Sequence, residues 1–170
     1  KDSKPRIQQL LSAKSLVSAI IAPSFPAEFT EFDYKVFVAM VKKLGFDMVN
    51  EVGFGADLVA MAYKKLLLGA HDNCRLIATT CPSIVAYIER YHPELVDNLA
   101  PIVSPMIAMA RALKKIHGND LKIVFVGPCI AKKGEAESCN LPDEVDCLAH
   151  TCYDSEMVQV LGRILGGHGQ

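Results

Sequence analysis

Two cysteines, Cys81 and Cys129, carry most of the chemistry this sequence offers, and each has a proline beside it. Cys81-Pro82 follows the run Arg75–Thr79, and Pro128-Cys129 follows the run Ile123–Val126. Lys132, Lys133 and Glu135 come within two turns of Cys129. A thiolate with cations three and four residues on has a reason to stay ionised. A neighbouring proline stiffens each turn and removes a backbone donor. Two such thiols at one edge of a sheet could converge on a soft metal cluster; an iron–sulfur cubane takes four thiolates. The competing reading is that both are buried and act as small apolar side chains.

The elements that must position them follow from the apolar pattern. Ile123, Val124, Phe125 and Val126 form a short continuous run, which suits a strand covered on both faces. Gly127 and Pro128 stop it, so Cys129 falls just past the carboxyl end of a central strand, where open α/β sheets place their ligands. Ser15–Ala22 predicts a first buried strand, Phe46–Val52 a second, Arg75–Thr79 a third and Val145–Ala149 a short last one. Helices are expected over Pro5–Lys14, Phe32–Leu44, Asp57–Leu68, Ser83–Tyr91, with Ser83 as its cap, Pro105–His117 and Ser155–Leu165. Phe32, Val36, Phe37, Met40, Val41 and Leu44 have helical spacing, and Gly45, Gly69 and Gly118 are natural stops. Strands alternating with helices predict an α/β fold: a mostly parallel sheet of four or five strands with helices on both faces.

The 170 residues are expected to form one lobe over 1–165, with Gly166–Gln170 a disordered tail at a truncation point. A net charge of −1 argues for neither nucleic acid nor an anionic membrane as partner. No run approaches the length of a spanning helix. Leu16–Ala22 lies behind an amphipathic Ile7–Leu11 and ahead of Pro23, which argues against a signal peptide. Six cysteines without secretory features favour a reducing compartment, hence a cytoplasmic location.

Other motifs are weaker. Gly53-Phe54-Gly55 between a strand and a helix has the start of a dinucleotide turn, but Leu58 stands where the third glycine belongs and no Walker lysine follows. A tight turn with Asp57 helping the helix start is the plainer reading. Cys139, Cys147 and Cys152 with His150 do not have the spacing of a usual zinc knuckle. Cys74 reads as structural. His71, His92 and His117 read as helix-end or turn residues, and His168 belongs to the tail. Lys64-Lys65 and Lys114-Lys115 read as solvated faces, with an electron-donor docking patch as the alternative.

Over nearly its whole length the chain resembles the large catalytic subunit of the iron-only (FeFe) hydrogenases, in the domain that holds their active cluster. Ile21-Ala22-Pro23-Ser24, Leu44–Leu58, Thr79-Thr80-Cys81-Pro82, His92–Leu95, Asn98-Leu99, Ser104-Pro105 and Pro128–Glu135 stand in the family's order, the last fitting PCxxKxxE. The resemblance implies a 4Fe-4S cubane bridged to a two-iron subcluster in the longer parent, with neither held by this fragment alone. It implies Cys81 and Cys129 as cubane ligands and Lys132 as donor to a cyanide. Glu135 would orient that region, and Pro23, Ser24 and Ser104 would line the site. Implied partners are a C-terminal lobe of the same polypeptide, a ferredoxin-like carrier or attached ferredoxin domain, and a signalling domain.

The departures from the family pattern point elsewhere within it. The family's first motif has a second, proton-relaying cysteine where Thr80 stands, and a hydroxyl does not trade protons as a thiol does. Met61-Ala62-Tyr63-Lys64 replaces acidic residues of the proton path. Met106 stands for glutamine, and Gly127 for methionine. The motif that supplies two further cysteine ligands is absent. The resemblance therefore implies the divergent, sensory branch: hydrogen or redox sensing with little turnover. The alternatives are a working ferredoxin-linked hydrogenase and a cluster-free, flavodoxin-like binding module.

Overall fold

The apolar runs at Val17 and Lys122 and the shorter segment at Met48 fold as parallel strands. In the computed structural model, which describes residues 4–30, 33–69, 75–138 and 150–151, β1 (Val17–Ile21), β2 (Met48–Glu51), β3 (Lys122–Gly127) and β4 (His150–Thr151) make one sheet in the order β2-β1-β3-β4. The register sets Ile20 between Asn50 and Phe125, and Val126 beside His150. Parallel neighbours require crossovers. These are supplied by α2 (Phe25–Glu28), α3 (Tyr34–Lys43), α4 (Val52–Leu68), α5 (Pro82–Tyr91), α6 (Pro105–His117) and α7 (Ala131–Ala136), with α1 (Lys4–Ser12) leading in. The expected α/β architecture, a parallel sheet with helices packed on it, is the one observed; of the four or five strands expected, those at Ser15–Ala22, Phe46–Val52 and Ile123–Val126 are in the sheet.

Alternation along β1 and β3 divides the core in two. Ile20, Ala22, Ile123 and Phe125 face Val52 of α4 and Met106, Ile107, Met109, Ala110 and Leu113 of α6. Val17, Ala19, Ile21, Val124 and Val126 face Phe25, Phe29, Phe37, Met40 and Val41. Phe37 anchors that second layer, stacked on Phe25 with ring centroids 4.7 Å apart. Helices therefore cover both faces of the sheet, which is why β1 and β3 are buried along nearly their whole length.

Caps and glycines fix the helix ends. Asp33 accepts a hydrogen bond from the Lys35 amide, 2.7 Å, and so starts α3. Gly45 and Gly118 follow α3 and α6 with φ of 107° and 97°, in the region that favours glycine. Removing the cap by Asp33→Ala is expected to cost about 1 kcal/mol, read as a lowered urea midpoint with an unchanged slope.

Three sequence expectations change. Gly53-Phe54-Gly55 is not a turn: α4 begins at Val52 and takes the glycines into its first turns. Gly55 is there because α6 crosses it; an added Cβ would lie 2.2 Å from the Pro105 carbonyl oxygen. Arg75–Thr79 is not a strand of the sheet. It makes one parallel bridge, Ile77 with Leu99. Ser83 does not cap α5; Cys81 occupies the N-cap position and Pro82 opens the helix. The expected strand over 145–149, the helix over 155–165 and the tail 166–170 lie outside the described residues, as do Phe32, His71, Cys74, Cys139, Cys147, Cys152 and His168. Among the described residues no helix is long and apolar enough to cross a membrane.

Candidate functional site

Cys129 lies two residues past the end of β3, and Pro23-Ser24 two to three past the end of β1. Because Ile21 and Val126 are register partners in parallel strands, both turns leave the sheet at its carboxyl edge. Cys81 reaches the site differently. It ends an arm, residues 75–81, that is tied down by hydrogen bonds outside the sheet. The Ile77 amide donates to the Asn98 carbonyl at 2.8 Å, and the Ala100 amide donates to that of Ile77 at 2.9 Å. Asn98 Nδ2 donates to the Arg75 carbonyl, 2.9 Å.

Lys132 joins the two cysteine turns. Its amide donates to the Cys129 carbonyl, 3.3 Å. Its Nζ donates to the Thr80 carbonyl at 3.4 Å and to Glu135 Oε2 at 2.8 Å. The Lys132 and Glu135 side chains are only 12% and 14% exposed, so this ion pair is largely withdrawn from water. The packing of α5 on α7 brings the same two segments together.

The Cys81 thiol is exposed and held below its ordinary pKa. The backbone amide of Ile84 does most to lower it; burial opposes, and Ser83 and the Lys132 charge add to the lowering. Amides at a helix start favour a sulfur anion in this way. Cys129 is half-buried.

The remaining expected residues divide. Pro23 and Ser24 are exposed at the sheet edge, Ser24 at the N-cap position of α2. Ser104 is buried at the N-cap of α6, and among the described residues its hydroxyl has no hydrogen-bond partner. An unpaired buried hydroxyl is uncommon and calls for a partner. Gly127 is closely covered: an added Cβ would lie 2.7 Å from both the Ala22 Cβ and the Phe125 ring. The Phe125 ring thus fills space that a side chain at 127 would need.

The donor set fits an iron–sulfur cluster in kind, with one exposed low-pKa thiol, one half-buried thiol and a cation between their turns. In number it is half of what a cubane takes. Among the described residues no three His, Cys, Asp or Glu gather in a metal-binding group.

Sequence reasoning missed Tyr63 as a contact of this region. Its Oη receives the Thr79 amide at 2.8 Å and lies 3.1 Å from Thr79 Oγ1. The only sequence signal was a lone phenol on a helix whose neighbours are Ala62 and Lys64. A groove of about 620 Å³ between α4 and α6, walled by Phe54, Asp57, Leu113, Ile116 and His117 among others, contains none of the expected site residues.

Residues 15–161 match the family model described as iron only hydrogenase large subunit, C-terminal domain. The chain is 32% identical over 157 residues to Iron hydrogenase 1 of Clostridium pasteurianum, covering 81% of this chain and 27% of that protein. It is 27% identical over 160 residues to the cytosolic Fe-S cluster assembly factor NAR1 of Yarrowia lipolytica, covering 84% of this chain and 32% of that one. Among solved structures, an apo FeFe-hydrogenase HydA1 variant from Chlamydomonas reinhardtii superposes with a TM-score of 0.76 at 21% identity, over 99% of this chain and 48% of the other. The chain thus spans under half the length of these relatives.

Proposed function

The chain belongs to the iron-only hydrogenase large-subunit family, and from that premise we propose that it forms one side of an iron–sulfur active site used for hydrogen or redox sensing with little turnover. The observation that carries this reading is Lys132, which hydrogen-bonds to both cysteine turns. A cluster there would supply single-electron storage and transfer. Cys81 and Cys129 would hold it as thiolates. Two of the three Lys132 donors go to Glu135 and Thr80, and we assign the third to an anionic cluster ligand of the cyanide type. Glu135 fixes the ammonium, so the donor is held in place before any ligand arrives. Pro23 and Ser24 would close one side from the edge of β1, and the buried Ser104 hydroxyl would find its partner there.

The remaining two cysteine ligands are proposed to come from a second lobe of the same polypeptide, with a ferredoxin-like domain or carrier as electron partner and a signalling domain as output. Thr80 supports sensing over rapid turnover, because the residue before the ligand cysteine has no titratable thiol to pass a proton. A second reading, iron–sulfur cluster assembly, is favoured by the likeness to the NAR1 factors.

The test is anaerobic reconstitution of the full-length polypeptide, followed by iron analysis and visible and EPR spectra. Cys81→Ser and Cys129→Ser are each expected to lower bound iron at least about tenfold, as losing a first ligand should. Iron content and spectra indifferent to both substitutions would exclude these ligands.

A further inference from the structure

The arm that carries Cys81 is not a strand of the sheet, so something else must fix it. The local backbone bonds at Ile77 tie it to residues 98–100, at and just past the end of a short 3-10 helix, Pro93–Asn98. The tie to a long helix comes from Tyr63 in α4. Donor counting gives its direction. Thr79 Oγ1 has one hydrogen, and that hydrogen is directed at the carbonyls of Ala100 and Ile102. The hydroxyl can then only accept from Tyr63 Oη, which itself accepts the Thr79 amide. The run is therefore closed: Thr79 amide to Tyr63 hydroxyl, Tyr63 hydroxyl to Thr79 hydroxyl, Thr79 hydroxyl to backbone carbonyl.

We propose that Tyr63 is a positioning residue that locks the Thr80-Cys81 turn through Thr79, and that this chain of hydrogen bonds is a structural tie and not a route for protons. The proton of Tyr63 is directed to Thr79, and the chain ends on carbonyl oxygens that have no proton to pass on. One phenol thus holds both the backbone and the side chain of the residue two before Cys81. The importance of that turn for ligand binding rests on the cluster reading above; the tie itself does not.

The experiment is amide hydrogen exchange on the full-length protein, with and without reconstituted iron. In Tyr63→Phe and in Thr79→Val, the amides of Ile77, Thr79 and Ala100 are expected to exchange about tenfold faster, the factor that one lost hydrogen bond sets. The amides of Ile20 and Phe125 in the sheet are expected to stay as they were. Thr79→Ser keeps the hydroxyl and is expected to restore slow exchange. Tyr63→Phe combined with Thr79→Val is expected to be no worse than either alone. In the iron-loaded protein, the same two single variants should release iron several-fold faster, with Thr79→Ser again like the original.

Three results would overturn the proposal: unchanged exchange at Thr79 in Tyr63→Phe, equal acceleration across the sheet, or failure of Thr79→Ser to rescue. If no variant takes up iron, the cluster reading fails, while exchange in the metal-free protein still decides the role of Tyr63.

Discussion

Gly55→Ala is expected to cost about 3 kcal/mol of folding stability, a large share of the roughly 5–15 kcal/mol that holds a domain together. An alanine Cβ at this position would sit 2.2 Å from the Pro105 carbonyl oxygen and 2.9 Å from Met109 Cβ. The first obstacle is backbone, which cannot rotate aside. Relief requires α4 and α6 to part, and α6 carries Met106, Ile107, Ala110 and Leu113 of the core. Helix propensity works in the other direction, since alanine is favoured over glycine by about 1 kcal/mol. The clash is expected to win because it must be relieved by the whole helix pair. Gly53→Ala is the matched comparison: its Cβ would meet nothing nearer than Glu51 Oε2 at 3.8 Å, so it is expected to be neutral or slightly stabilising. Urea midpoints of the two variants decide the matter. Equal midpoints would mean that the helices do not cross as closely as described.

The second large effect is expected at Thr80. In the full-length, cluster-loaded protein, Thr80→Cys is expected to raise hydrogen evolution roughly tenfold or more, toward the 10²–10⁴ that one aligned proton donor contributes. The substitution changes only the side chain; the Thr80 carbonyl that accepts from Lys132 is kept. A thiol can ionise near neutral pH, and the hydroxyl cannot. The full factor is not expected, because the chain beyond it has Met61, Ala62 and Tyr63 where the family pattern has acids, and Tyr63 is tied to Thr79. Hydrogen evolution is measured with a chemical reductant, beside iron content. Rapid evolution by the unsubstituted protein would end the sensing reading. No change on substitution, with iron loaded, would place the block elsewhere than residue 80.

Much of the fold was legible because its signals are local. Ile123–Val126 has the length and the β-branched and aromatic content of a covered strand, and Pro105–His117 has a proline to open it and Gly118 to close it. The errors have one cause, which is that the deciding partner is distant in sequence. Arg75–Thr79 is apolar enough for a strand, but its hydrogen bonds go to residues 98–102 and to Tyr63, not to the sheet. Gly53 and Gly55 look alike on paper. Only the crossing of α6 distinguishes them, and that crossing lies about fifty residues further along the chain. The cysteines and Lys132 were legible as a motif. The bond from Lys132 to Thr80 was not, because it joins segments separated by 52 positions. Tyr63 offers the sequence only a lone phenol; its value depends on Thr79, sixteen residues on.

The two cysteine turns are anchored differently, and that has an entropic consequence. Cys129 is fixed by the central strand β3, whereas Cys81 hangs from an arm that the sheet does not pin. An ion or cluster gripped by both sulfurs would act as a staple across that gap. It would close a loop of about fifty residues and remove denatured-chain freedom worth roughly 3–5 kcal/mol by the cross-link estimate. Occupancy would then be written into heat resistance, and the arm would gain most from it.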